Sequence, residues 1–134
     1  MSNVKRTTYY VGHIREVVNR YKELNVWKEA MGLCTDVYKL TAGFPDSEKF
    51  GLTSQLNRSA VSIPSNIAEG AGRPSEKQFA SFLGIANGSC NELYTQLEIA
   101  SRIGLLNENE LIEFEDRIEK IQNMIFKLKR TFSK

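Results

Sequence analysis

Residues Gly51 to Gly72 read GLTSQLNRSAVSIPSNIAEGAG, and the fold turns on how this stretch is laid out. Leu52, Leu56, Ala60, Ile63 and Ile67 recur at steps of three and four residues, so a 3.6-residue period puts all five on one face. The stretch is predicted to be an amphipathic core helix. Its other faces carry Ser54, Asn57, Ser59, Ser62, Ser65 and Asn66, small polar side chains that let neighbouring backbones approach on more than one side. Pro64 lies within the run and removes the hydrogen bond to the Ala60 carbonyl. It either kinks the helix or begins a new segment capped by Ser62, and the unbroken apolar phase favours the kink.

Before this stretch, a helix is expected from about Asn25 to Thr41, with Asn25 as N-cap and Val26, Ala30, Leu33, Val37 and Leu40 buried. Trp27 flanks that face and suits either the rim of the core or a subunit contact. Gly43, Phe44 and Pro45 stop the helix, and Asp46 or Ser47 is positioned to cap the next. After it, Gly70, Gly72, Arg73 and Pro74 form a tight connection, and Ser75 with Gln78 reads as a capping box. Phe79, Leu83, Ala86, Cys90, Leu93, Leu97 and Ala100 then mark a long third helix. Gly84 and Gly88 weaken it by about 1 kcal/mol each, a cost that close packing of another helix would offset. Gly104 ends this helix, and Asn107 with Glu110 opens a fourth, whose face is Leu111, Phe114, Ile118, Ile121, Ile125, Leu128 and Phe132.

Four such segments with short connections predict an all-α fold, an antiparallel up-down-up-down four-helix bundle over residues 21–134, without strands. Residues 1–20 form a basic extension, with Lys5, Arg6, Arg15 and Arg20 against Glu16. It is either an arm that touches RNA or a neighbouring subunit, or a loosely packed addition. The length of 134 residues fits one domain, and 41% hydrophobic with 25% charged residues suits a globular core. No apolar run approaches the ~18 residues that span a bilayer, and MSNVKRTTYY lacks the apolar middle of a signal peptide, so a cytoplasmic protein is expected. Cys34 and Cys90 fall in apolar phase and read as buried free thiols.

Catalysis finds little footing. The single histidine, His13, lies in the extension, which excludes a di-iron bundle built on two Glu-x-x-His pairs. There is no phosphate loop and no cysteine–histidine cluster at zinc spacing, so no cofactor and no metal are expected.

The string LTSQLNRSAVSIPSNIAEG closely resembles the signature of the 23S rRNA intervening-sequence proteins, and YKELNVWKEAM at Tyr21 to Met31 and FLGIANGSCNELYTQLEIASRIGLL at Phe82 to Leu106 support the likeness. The resemblance implies a bacterial four-helix protein that assembles into a homo-oligomer, often a pentameric ring. The chain is also similar to accessory proteins of diversity-generating retroelements, which assist a reverse transcriptase and bind nucleic acid.

Two functional classes follow. One is a module that associates with structured RNA or an RNA-handling partner, with Arg58, Arg73 and Lys77 as contacts. The net charge of only +2 then requires a local patch or a ring that concentrates one. The other is a homo-oligomeric protein-interaction scaffold that touches no nucleic acid. Arg58, Asn66, Glu69 and Trp27 are the interface candidates in either. Arg58 and Glu69 share a face but lie roughly three helical turns apart, which favours pairing between subunits. Alternatively, the serines of this helix merely accommodate its own neighbours in a monomer. Lys127, Lys129, Arg130 and Lys134 complement the dipole of the last helix and form a basic tip that can also hold phosphates. No membrane and no small-molecule substrate are expected as partners.

Overall fold

The computed structural model describes residues 20–132. The expected extension over residues 1–20 lies outside them, apart from the backbone of Arg20. The described chain forms four α-helices, α1 (Asn25–Thr41), α2 (Leu52–Ala71), α3 (Glu76–Arg102) and α4 (Glu108–Arg130), with 3-10 turns over Arg20–Glu23 and Asp46–Glu48 and no strand. The expected apolar faces close on one core, in which Val26, Leu33, Leu56, Ile63, Leu83, Leu93, Ile118 and Ile121 are almost fully buried.

Side-chain contacts fix the direction of each neighbouring pair. Along α2 and α3, Ser59 meets Gln96, Ser62 meets Ser89, and Gly70 lies against Phe79 and Phe82. The numbers run oppositely, so the helices are antiparallel. Asn91 with Gln122 and Phe79 with Phe132 give the same sense for α3 and α4, and Asp36 with Arg117 and Glu29 with Lys120 for α1 and α4. The bundle is therefore up-down-up-down. Its most extensive interface is α2–α3, followed by α1–α2.

α2 runs unbroken through Pro64, which is buried, so the proline does not divide it into two helices. The apolar phase explains why: Ile63 and Ile67 on either side are wholly buried, and their packing offsets the missing backbone hydrogen bond.

The ends of the helices are more varied than their sequences imply. Asn107 accepts from the Glu110 N–H at 2.8 Å while the Glu110 carboxylate accepts from the Asn107 N–H at 2.9 Å, a complete capping box. Ser75 accepts from the Gln78 N–H at 3.1 Å, but its own N–H does not donate to the Gln78 side chain, so only half of that box forms. Asn25 is the first helical residue rather than a cap. Leu24 holds the N-cap position with extended backbone and its carbonyl accepts the first bond, from Lys28. Asp46 opens a 3-10 turn instead of capping α2, which begins after Gly51 without a side-chain cap. At the end of α3, Gly104 adopts φ +85°, with Gly104 N–H bonded to Ser101 and Leu105 N–H to Ala100, the pattern that satisfies the last carbonyls through a left-handed residue.

Close helix approach occurs at a different glycine from those expected. A Cβ on Gly70 would lie 2.7 Å from Phe82 Cβ and 2.9 Å from Phe79 Cδ1, so the missing side chain lets α2 meet the start of α3. Gly88 has open space around its Cα, and a Cβ on Gly84 would meet only the end of Lys129, at 3.9 Å. Among the described residues, no helix packs tightly on either position.

Candidate nucleic-acid interface

The antiparallel order brings the end of α2, the start of α3 and the end of α4 to one end of the bundle. There α3 and α4 diverge into an open cleft of about 640 Å³ lined by Lys77, Ala80 and Asn87 of α3 and Gln122, Phe126, Lys129 and Arg130 of α4. Small residues on α3 shape it. Ala80 leaves room, and Gly84 lets the Lys129 ammonium lie over the α3 backbone. Phe132 also lines it and packs on Phe79, with ring centroids 5.1 Å apart. Phe126 sits beside the buried Ile125 yet points outward, 61% exposed, with the Arg130 guanidinium 5.6 Å from its ring centroid. Among the described residues, Glu76 is the one carboxylate in the lining, against the three cations Lys77, Lys129 and Arg130.

Of the residues singled out in the sequence, Lys77 is placed in this cleft. Arg73 stands nearby in chain terms on the α2–α3 connection, where its guanidinium lies 4.8 Å from the Phe82 ring centroid and bonds the Glu69 carboxylate at 2.7 Å. Glu69 therefore has a partner within its own helix and connection, four residues on. Arg58 is exposed near the opposite end of α2, and none of the ion pairs among the described residues involves it. The structure does not bring Arg58 together with Arg73 and Lys77.

Asn66 is engaged internally too. Its amide donates to the Ser62 carbonyl and hydroxyl at 2.8 and 2.9 Å, and the Ser62 and Ser89 hydroxyls bond each other at 2.8 Å. One turn away, the Ser59 hydroxyl donates to Gln96 at 2.7 Å, both groups being buried. Small polar residues thus knit α2 to α3, which is why this face needs no aliphatic side chains. Trp27 is half-buried at the core rim, packed edge-on against Tyr21 with ring centroids 5.3 Å apart. The basic tip of α4 was legible as a charge run. Its union with Lys77 was not, because it depends on the antiparallel register. The sequence signal for the cleft was Phe126, an aromatic residue out of phase with the apolar stripe of α4.

Cys34 and Cys90 are free thiols, the first half-buried and the second buried. Burial pushes the Cys90 thiol up to about 12. Among the described residues, no group of three or more His, Cys, Asp or Glu converges to hold a metal ion, and no helix is long and apolar enough to cross a membrane.

The sequence model of the 23S rRNA-intervening sequence protein family matches residues 22–127, from just before α1 to near the end of α4. The chain belongs to that family. A crystal structure of a protein of unknown function from the S23 ribosomal protein family of Bacteroides thetaiotaomicron superimposes on this intervening-sequence protein with a TM-score of 0.73. The two share 22% identity over 78% of this chain and 95% of the other, a likeness of fold. No curated protein matches the chain. The family match ends at Lys127, so Lys129 and Arg130, which complete the cleft of this intervening-sequence protein, lie just beyond it.

Proposed function

We propose that this intervening-sequence protein is a non-enzymatic, homo-oligomeric module that associates with RNA through the cleft between α3 and α4. The observation that carries the reading is the convergence of Lys77, Lys129 and Arg130 on one open cleft in a protein whose net charge is only +2. Clustered cations supply the counterion-release attraction to phosphates that bulk charge does not, and a ring of subunits would repeat the patch around one assembly. Purified protein titrated with a structured RNA over a range of salt concentrations should retain it at low salt and release it progressively, with a log–log slope near −1 per phosphate neutralised. Absence of retention at low salt overturns the proposal.

A second reading, a homo-oligomeric scaffold without nucleic acid, is favoured by the outer face of α3. Ile85 and Ile99 are half exposed there, and Gly88 between them has open space where another backbone can come close. Of the charged interface candidates, Arg58 makes no ion pair among the described residues, while Glu69 pairs with Arg73 and stays half exposed. The pentamer is the assembly expected. Light scattering should give a multiple of 15.2 kDa for the wild type and a smaller mass for Arg58→Glu. A monomeric wild type removes the oligomer from both readings.

A further inference from the structure

We infer that the α3–α4 cleft is a site for unpaired nucleotides, with a base stacked on Phe126 and its flanking phosphates on Lys77 and Lys129. The inference rests on the RNA-associated reading and deepens it by naming the form of nucleic acid. Phe126 departs from the pattern of its own helix, being 61% exposed while its sequence neighbour Ile125 is 2% exposed. An isolated exposed aromatic is ordinary, but this one forms a wall of a cleft in which Lys77, Lys129 and Arg130 outnumber the single described carboxylate, Glu76. The Arg130 guanidinium, 5.6 Å from the ring centroid, adds a cation and a planar group to the same wall of the cleft.

That combination discriminates between forms of RNA. In a duplex the bases are stacked on each other and offer no face to a side chain, so an aromatic wall contributes nothing to binding. In a single strand, loop or bulge each base presents a free face, and stacking on an aromatic side chain adds to the attraction between phosphates and cations. The volume of about 640 Å³ lies within the range that takes a small-molecule-sized group, and Asn87 and Gln122 add amides that can meet base edges without selecting one sequence. Phe132, packed on Phe79, completes the apolar part of the lining beside Phe126.

The test uses fluorescence anisotropy of a labelled twelve-nucleotide oligoribonucleotide, alone and as a blunt duplex, with full-length wild type, Phe126→Leu, Phe126→Tyr and Lys129→Gln. Circular dichroism and light scattering check that each variant keeps its fold and its mass. The wild type should bind the single strand more tightly than the duplex. Phe126→Leu should weaken single-strand binding roughly tenfold without changing the salt slope or the duplex affinity, and Phe126→Tyr should restore it. Lys129→Gln should weaken both forms and reduce the salt slope by about one. Salt-dependent RNA binding that is indifferent to Phe126→Leu, or equal for single strand and duplex, overturns the stacking site while leaving the RNA-associated reading intact. No binding of either form overturns both.

Discussion

Gly70→Ala tests the close approach of α2 to the start of α3. The added methyl would lie 2.7 Å from Phe82 Cβ, 2.9 Å from Phe79 Cδ1 and 3.3 Å from the Phe79 carbonyl oxygen. None of these is the free end of a flexible side chain. Phe82 Cβ is fixed to the α3 backbone, and the Phe79 ring is held against Phe132. Relief therefore requires α2 and α3 to move apart, an overpacking cost of about 1–3 kcal/mol. Against this, alanine gains at most about 1 kcal/mol of helix propensity, less near the end of α2 where Gly70 lies. The net expectation is a loss of about 1–2 kcal/mol, read as a fall of roughly half to one molar in the urea midpoint with an unchanged slope. Gly88→Ala supplies the control. It has the same chemistry in the middle of α3 with nothing within 4 Å, so the propensity gain stands alone and the midpoint should rise. If Gly70→Ala equals or exceeds the wild type, the close approach of α2 to α3 is not limiting and the reasoning fails.

Ile63→Asp should unfold the domain, because it places an unpaired charge where the native side chain is wholly buried. Pro64→Ala should leave thermal stability equal or higher, since α2 already runs through that position; equal losses in both would contradict a continuous helix. Asn107→Ala removes half of the reciprocal cap at the start of α4 and should cost about 1 kcal/mol in urea denaturation, whereas Asn25→Ala should cost almost nothing, because that side chain caps no helix. Stability should fall in alkali. Burial raises the Cys90 thiol from 9.0 to about 12, and the hydrogen bond to Glu98 raises the Tyr94 hydroxyl from 10.0 to about 12. Both groups therefore favour the folded state fully below their unfolded values and lose that contribution as the pH climbs from about 9 to about 12. Urea midpoints measured at pH 8 and pH 11 check this, and Tyr94→Phe should lose less over the interval than the wild type. A midpoint that does not fall in the wild type contradicts the assignment.

The sequence was most informative where one residue's neighbours along the chain decide the outcome. The heptad-like spacing from Leu111 to Phe132 located the α4 face, and Asn107 with Glu110 specified a complete cap because both partners lie within one turn. It was least informative where the partner comes from another helix. Periodicity assigns Gly70, Gly84 and Gly88 to faces, but the distance between helices depends on Phe79 and Phe82, which the α2 pattern does not contain. Asn66 and Glu69 do not follow that division: their bonds to the Ser62 hydroxyl and Arg73 are local, yet residue type and spacing alone do not reveal them. The cleft required Lys77 and Lys129 to be adjacent across 52 positions of sequence, and only the antiparallel register supplies that.

The buried hydrogen bond of Ser59 with Gln96 and the part-buried one of Ser62 with Ser89 divide the bundle by lability. Separating α2 from α3 would strand polar groups that water must reach before they are satisfied again, so amide protons of these two helices should exchange only through global opening. α4 is held differently. It touches α1 and α3 through smaller interfaces, and its ion pairs with α1, Arg117 with Asp36 and Lys120 with Glu29, are solvent-exposed and individually worth under about 1 kcal/mol. Its amides should exchange through a partial opening that leaves the α2–α3 hairpin closed. Lys77 stands on the stable wall of the cleft and Lys129 on the labile one, so any ligand that bridges them slows exchange in α4 while leaving α2 almost unchanged.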